Sequence, residues 1–316
     1  MSSNGKTPFF ASKRNVVITA VFYTFLWGLA FPLVKICMLE FNISAGDQPA
    51  KCLVAGLRFA FSGVLTLALY VIFGKNRLSV TARELKRSVL YGITATALQY
   101  AFTYIGLSVI DGSKGAVYDQ MGVFIIVLSS GLIFKSDKLS AKKIIGCVLG
   151  LSGVLCTSVS GGGFRFQPGG DSFMLLAALC QTAAYFIAKG CLKDMAAEKL
   201  VGFGQLIGGV ILCIAAYLLG GRIESVNSTA VLSLIGLVII SSVAYTLSLK
   251  PLLYFPASEI ASFNLLITVF GVMLSAALLN ENVWRFNYAA ALILCSAGIY
   301  LLNSVRGGKK YERNDF

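Results

Sequence analysis

The stretch "VVITAVFYTFLWGLAFPLVKICMLE" (residues 16–40) decides the fold class, because it is long, apolar and free of charged side chains before Lys35. An α-helix needs about 20 such residues to cross the hydrocarbon core of a bilayer. The run is too long for the apolar part of a secretory signal peptide, so we expect it to remain as a membrane-spanning helix. Pro32 cannot donate a backbone hydrogen bond to Gly28 and is expected to kink this helix.

Nine further apolar runs follow, and the whole chain is 57% hydrophobic and only 13% charged, with a mean hydropathy of +0.79. A soluble chain carries about 25% charged residues. The runs do not alternate apolar and polar side chains as the strands of a membrane barrel would. We therefore predict an all-α membrane protein with ten transmembrane helices, at residues 16–40, 50–73, 88–109, 115–134, 142–160, 171–189, 200–220, 229–248, 257–279 and 286–305.

The lysines and arginines outside these spans predict the orientation of the chain. Twenty of them lie in the two tails and the loops on the same side, and five lie in the opposite loops. Cytoplasmic loops carry the excess of basic residues, so both termini should be cytoplasmic. The net charge of +13 is then explained by topology and by attraction to the lipid bilayer, and we expect no nucleic-acid partner.

Several kinds of chemistry are excluded by composition. The chain has no histidine, which rules out Ser-His-Asp and Cys-His catalysis and leaves no imidazole for a metal site. The eight cysteines are scattered without a CxxC pair, and no P-loop pattern occurs. We predict a protein that is not an enzyme, has no cofactor or metal, and would drive any transport from gradients.

The second half of the chain resembles the first. An offset of 145 aligns residues 107–160 with 252–305, and a longer offset of 154 aligns the first span of each half. The paired residues are Tyr100 with Tyr245, Asp119 with Asn264, Trp27 with Gln181, Phe31 with Tyr185, and Lys35 with Lys189. Apolar spans can also match by chance, but five spans is an odd number, so repeats at 16–160 and 171–305 would be inverted, as in many secondary transporters.

Three charged residues lie well inside predicted spans, away from the ends and at similar depth from the outer side: Lys35, Arg58 and Asp119. Such groups are costly in a membrane unless they face a cavity or a partner. One interpretation is a charge cluster in the outer half of a substrate cavity, where a cation meets a carboxylate or phosphate and Asp119 meets an amine or proton. In the other interpretation, Lys35 and Arg58 extend towards the outer headgroups.

Polar and aromatic side chains near the middle of the spans also need partners, which a water-filled cavity would supply. The predicted substrate-binding residues are Trp27, Phe31, Lys35, Gln99, Tyr100, Thr103, Tyr104, Asp119, Gln120, Gln181, Tyr185, Tyr245 and Asn264.

Three motifs carry a family resemblance: "LWGLAFPLVK" (26–35), "GLRFAFSGVL" (56–65) and "LLNENVW" (278–284). With these the chain resembles the drug/metabolite transporter superfamily, in particular its ten-helix exporters built from two EamA domains. The fourth span departs from the pattern, because it reads "YDQMGVF" (118–124) where the family often has a proline.

The resemblance implies a secondary transporter in the plasma membrane of a prokaryote, which exports a small organic metabolite such as an amino acid by alternating access around a midplane cavity. Two alternatives are an importer of a vitamin or nucleobase on the same fold and a membrane sensor or assembly partner that transports nothing. The sequence leaves open a coupling proton or ion and assembly into a homo-oligomer.

Overall fold

The computed structural model describes residues 9–44, 46–74, 77–107, 109–110, 112–134, 139–158, 166–279 and 286–304. The helices within these ranges are α1 (Lys13–Glu40), α2 (Gln48–Gly74), α3 (Ala82–Gly92), α4 (Gln99–Leu107), α5 (Gly112–Ile133), α6 (Ala141–Ser158), α7 (Pro168–Cys191), α8 (Ala197–Leu218), α9 (Ser228–Leu249), α10 (Ala257–Ser262), α11 (Leu265–Leu279) and α12 (Phe286–Ser304). No strand occurs in these ranges. The predicted repeat ends at 160 and 305 lie outside the described residues.

The predicted all-α architecture is confirmed, because the described helices group into ten helical segments. Two of the ten contain a pair of helices, namely α3 with α4 and α10 with α11. Six segments are long and apolar enough to cross a membrane: Lys13–Glu40, Gln48–Gly74, Pro168–Cys191, Ala197–Leu218, Ser228–Leu253 and Ala257–Ser275. Helix α1 continues through Pro32 as one helix.

Local sequence explains where several helices begin and end. Thr81 and Glu84 form a capping box at the start of α3, in which each side chain bonds to the other residue's backbone amide. Helix α7 begins at Pro168, whose missing amide hydrogen is not needed in a first turn. Gly220 follows α8 with a φ of +91°, a conformation that residues with a side chain rarely adopt.

Two segments are discontinuous where the sequence predicts single helices. The third segment contains a π-helical turn at Ile93–Leu98, directly before Gln99 and Tyr100. The ninth breaks at Phe263 and Asn264, between α10 and α11. Apolar periodicity gives no sign of either interruption, because the flanking residues on both sides keep the character of a membrane-spanning helix. Irregular backbone within a membrane protein is tolerated where it is enclosed by protein or lines a cavity.

The helices pack in pairs that cross between the two halves of the chain. Helix α2 packs against α8, α6 against α12, and α1 against both α9 and α11. In the same way α4 and α5 pack against α7. Glycines allow the closest approaches, since a Cβ at Gly56 would lie 2.6 Å from the sulfur of Cys213 on α8. The result is a bundle in which both halves contribute to the interior.

Ion pairs gather at the end of the bundle where α1 begins, which we call the Lys13 end; the opposite one is the Glu40 end. Four pairs there join different elements: Lys13–Glu259 at 3.1 Å, Glu84–Lys199 at 2.9 Å, Arg87–Asp194 at 2.7 Å and Lys250–Glu198 at 2.5 Å. Nearby, the buried Lys189 donates to the carbonyl oxygen of Phe255 at 3.0 Å and lies over the Phe134 ring. These contacts hold α1, α3, α7, α8 and α10 together at one end.

Candidate functional site

Tyr100 and Tyr245 meet in the interior of the bundle, with their hydroxyl oxygens 2.9 Å apart. The Trp27 ring lies edge-on to Tyr245, with a centroid separation of 5.2 Å. Phe59 packs 4.5 Å from Tyr100 and 6.1 Å from Tyr245. We call Trp27, Phe59, Tyr100 and Tyr245 the aromatic junction. Four helices, α1, α2, α4 and α9, each contribute one ring to it.

The π-helical turn sets the position of Tyr100. It inserts an extra residue into the helical register immediately before Gln99, and so changes the face that the following residues present. Tyr100 and Tyr104, four residues apart on α4, both pack against the cluster that contains Phe59. Thr103 instead uses its hydroxyl to bond the carbonyl oxygen of Gln99 at 2.8 Å.

Arg58 is buried beside the aromatic junction, with 7% of its surface exposed. Its Nε atom donates to the hydroxyl oxygen of Ser241 on α9 at 2.7 Å. Its positive charge also acts on the hydroxyls of Tyr100, Tyr104 and Tyr245. The side chain therefore points into the bundle and does not extend towards the headgroups. Arg58 is one of the three charged residues singled out from the sequence, but neither it nor Phe59 is in the predicted substrate-binding set.

The two other predicted residues on α1 have a different environment. Phe31 is 51% exposed and lies against Gly271 of α11. Lys35, one turn further along, is exposed. Trp27 thus belongs to the aromatic junction, whereas Phe31 and Lys35 lie nearer the Glu40 end of α1. The spacing of four residues does not keep all three on the same face, because the stripe drifts around the helix.

Asp119 is an acidic residue within electrostatic range of the junction. It lies on α5 and is half-buried, and its charge acts on Tyr100. The next residue, Gln120, is buried and donates from Nε2 to the hydroxyl of Thr268 on α11 at 2.7 Å. An acidic and a basic group from α5 and α2 therefore both influence the same tyrosine.

Three amide oxygens of the predicted set are buried without a hydrogen-bond donor among the described residues: Oε1 of Gln120, Oε1 of Gln181 and Oδ1 of Asn264. Gln181 packs its amide oxygen against Gly122 of α5, and Asn264 lies at the break between α10 and α11. An unsatisfied buried acceptor costs about 1–3 kcal/mol. All three oxygens thus lack a hydrogen-bond partner in the described part of the chain. The remaining member, Tyr185, is half-buried on α7 and packs against the central core.

A separate cavity of about 470 Å³ lies between α2 and α9 towards the Lys13 end, with Thr66, Tyr70, Phe73, Glu198 and Thr246 among its lining residues. It opens to the outside of the bundle, since Phe73 at its edge is 79% exposed. The acidic residue in its wall, Glu198, is already paired with Lys250. The aromatic junction differs from this cavity, because a buried arginine, Arg58, lies beside its paired tyrosine hydroxyls.

Charged residues at the Lys13 end are stabilised in their ionised forms. The backbone amide of Thr81, followed by the Lys199 side chain, lowers the pKa of Glu84. The hydrogen bond from Arg87 lowers the pKa of Asp194. Within the described ranges, no three histidine, cysteine, aspartate or glutamate side chains come together as a metal site would require.

Comparison with protein families decides the identity of the bundle. Residues 14–159 and 168–304 each match the EamA-like transporter family. The chain belongs to the EamA-like transporter family. The predicted resemblance to the drug/metabolite transporters is thereby confirmed, and the chain is a multi-pass membrane protein of a transporter family.

Two relatives align with nearly the whole length of this family member. It is 25% identical to a protein of Escherichia coli (strain K12) named a probable amino-acid metabolite efflux pump, over 90% of this chain and 93% of the relative. It is also 25% identical to an uncharacterized transporter of Bacillus subtilis (strain 168), over 94% of both chains. One solved crystal structure superimposes with a TM-score of 0.72 at 15% identity, covering 90% of this chain and 98% of the other, which shows a shared fold.

Proposed function

We propose that this EamA-family member is a secondary active transporter that exports a small organic metabolite, an amino acid in the first instance, across a prokaryotic plasma membrane. The observation that carries the proposal is the aromatic junction, beside which Arg58 is buried and on whose Tyr100 the charge of Asp119 acts. Aromatic walls with both signs of charge suit a zwitterion that has an apolar side chain. The name of the Escherichia coli relative supports the same substrate class.

We propose further that the transporter consists of two inverted repeats, residues 16–160 and 171–305. The two stretches that match the family support this division. Helix pairing supports it too, because α2 packs on α8 and α6 on α12, and each pair joins equivalent helices of the two repeats. Alternating access would then be a rocking of one repeat against the other around the aromatic junction.

The excess of basic residues assigns the Lys13 end to the cytoplasm. With that assignment, the four ion pairs and the buried Lys189 lie on the cytoplasmic side of the aromatic junction. Transport to the outside requires this layer to open and admit substrate from the cytoplasm. We infer that these ion pairs break and reform in each cycle.

Flux through proteoliposomes tests the function. Vesicles containing the purified protein are loaded with individual radiolabelled amino acids, and efflux is followed with and without a proton gradient. A first thermal-shift screen chooses the compounds, because a bound substrate raises the unfolding temperature. Saturable efflux of at least one amino acid is the expected result.

Other outcomes of this assay separate the rival functions. Uptake of a vitamin or nucleobase in place of amino-acid efflux would replace the exporter with an importer. Absence of flux for every member of a broad metabolite panel would favour a sensor that transports nothing.

A further inference from the structure

Arg58 carries a charge that the surrounding protein only partly satisfies. A guanidinium has five N–H donors, and the hydrogen bond described for Arg58 uses one of them, from Nε to Ser241. The guanidinium carbon of Arg58, Cζ, also lies 5.0 Å from the centre of the Phe59 ring. The donors on its two terminal nitrogens are therefore available.

No acidic side chain forms an ion pair with Arg58 in the part of the chain that the structure describes, although 93% of the residue is buried. Lys199, another buried cation, is by contrast paired with Glu84 at 2.9 Å. A charge removed from water is costly unless an opposite charge or several hydrogen bonds compensate it. Arg58 is consequently suited to binding an anion.

The position of Arg58 indicates where that anion would lie. Ser241 anchors the guanidinium to α9 through Nε. The charge acts on Tyr100, Tyr104 and Tyr245, so it is directed to the hydroxyl side of the aromatic junction. An anion bound by the terminal nitrogens would lie beside the phenolic groups, with the rings of Trp27 and Phe59 next to it.

We propose that Arg58 binds the carboxylate of the transported substrate and makes the protein selective for carboxylic acids over their neutral amides. The planar guanidinium matches a carboxylate through two parallel hydrogen bonds. A single cation with a neutral Ser241 partner suits a monoanion better than a doubly charged phosphate. Ser241 is a positioning residue, since it orients the guanidinium. This inference rests on the proposed transport function and adds a specificity-determining residue to it.

The test compares binding of an acid with binding of its amide. Detergent-solubilised protein is titrated calorimetrically with L-phenylalanine and L-phenylalaninamide, L-tryptophan and L-tryptophanamide, and L-leucine and L-leucinamide. Each pair keeps its ammonium group and side chain. We expect wild-type protein to bind the acid at least about tenfold more tightly, because the amide loses a charge-assisted pair of hydrogen bonds.

Arg58→Gln should reduce this preference to a ratio near one, and Arg58→Lys should keep part of it. The matched control is Arg222→Gln, because Arg222 bonds the carbonyl oxygens of Tyr217 and Gly221 at the bundle surface. It should leave the preference unchanged. Ser241→Ala keeps the charge and remains informative if Arg58→Gln fails to fold; it should retain the acid preference at a reduced ratio.

A second panel makes the inference independent of amino-acid transport. Indole-3-acetate is compared with indole-3-acetamide, and phenylacetate with phenylacetamide. If no amino acid binds or is transported but the acid preference disappears in Arg58→Gln, the proposed substrate is wrong and the role of Arg58 stands. The role is overturned if Arg58→Gln weakens acid and amide equally, if it keeps the preference, or if the wild-type protein shows none in either panel.

Discussion

The hydroxyl oxygens of Tyr100 and Tyr245 lie 2.9 Å apart, although 145 residues separate them in the chain. The same number is the offset at which the second half of the sequence aligns with the first. Side chains at equivalent positions of two repeats can touch only beside the axis that relates the repeats. The contact supports the inverted-repeat proposal and marks the centre of the proposed substrate pathway.

Removing both hydroxyls of this pair should cost less than the sum of the costs of removing each alone. Tyr100→Phe leaves the hydroxyl of Tyr245 without the partner it has here, and a lone buried hydroxyl costs about 1–3 kcal/mol. The double change Tyr100→Phe with Tyr245→Phe should be less destabilising than the sum of the two single changes. Unfolding temperatures of the four proteins measure this coupling. Tyr217→Phe, on a side chain that is 57% exposed, should have little effect.

Asp119→Asn should abolish or uncouple transport without preventing membrane insertion. The change keeps the size of the side chain and removes the negative charge that acts on Tyr100. Initial rates of substrate flux, recorded over a range of pH, are the measurement. Glu224→Gln removes an acidic group from an exposed position and should transport normally. Wild-type rates and pH dependence in Asp119→Asn would remove this residue from the mechanism.

Gln181→Met should weaken substrate binding without lowering the stability of the protein. The amide oxygen of Gln181 is buried without a described donor, so replacing it should leave the unfolding temperature unchanged or raise it. If water or substrate normally satisfies that oxygen, substrate affinity should fall severalfold. Gln205→Met is the contrast, since Gln205 accepts a 2.6 Å hydrogen bond from Ser62 and its loss should destabilise the fold. Unchanged substrate affinity in Gln181→Met would exclude a role for this amide in binding.

The stabilising effect of Glu84 should depend on pH. Its pKa is lowered in the folded protein, first by the Thr81 amide and then by Lys199, so the folded state favours the carboxylate. The stabilisation is therefore fully present above the unfolded pKa of about 4.3 and is lost as pH falls through the lower, folded value. The difference in unfolding temperature between wild type and Glu84→Gln should be large at neutral pH and shrink on acidification.

A second variant identifies the source of this pH dependence. Lys199→Met removes the ammonium partner and keeps the stronger bond from the Thr81 amide, so most of the dependence should remain. If the dependence vanished in Lys199→Met, the ion pair and not the capping box would control Glu84.

Composition and apolar run length were sufficient to predict an all-helical membrane protein, because only helices with internally bonded backbones satisfy a bilayer in this way. Motifs in the first, second and ninth spans gave the family. The two interruptions could not be predicted. Ile93–Leu98 and the break at Asn264 contain no proline or glycine that would mark an interruption, and packing against other helices decides their geometry.

The ionisable residues show most clearly where sequence reasoning ends. Lys35 and Arg58 have the same type of charge at a similar predicted depth, yet Lys35 is exposed and Arg58 is buried against Ser241. The sequence by itself determined that charged residues lie within apolar helices, because the position of a residue along a spanning helix fixes its depth in the membrane. Only the tertiary structure decided which of them face the interior, because rotation about a helix axis is set by the neighbours against which that helix packs.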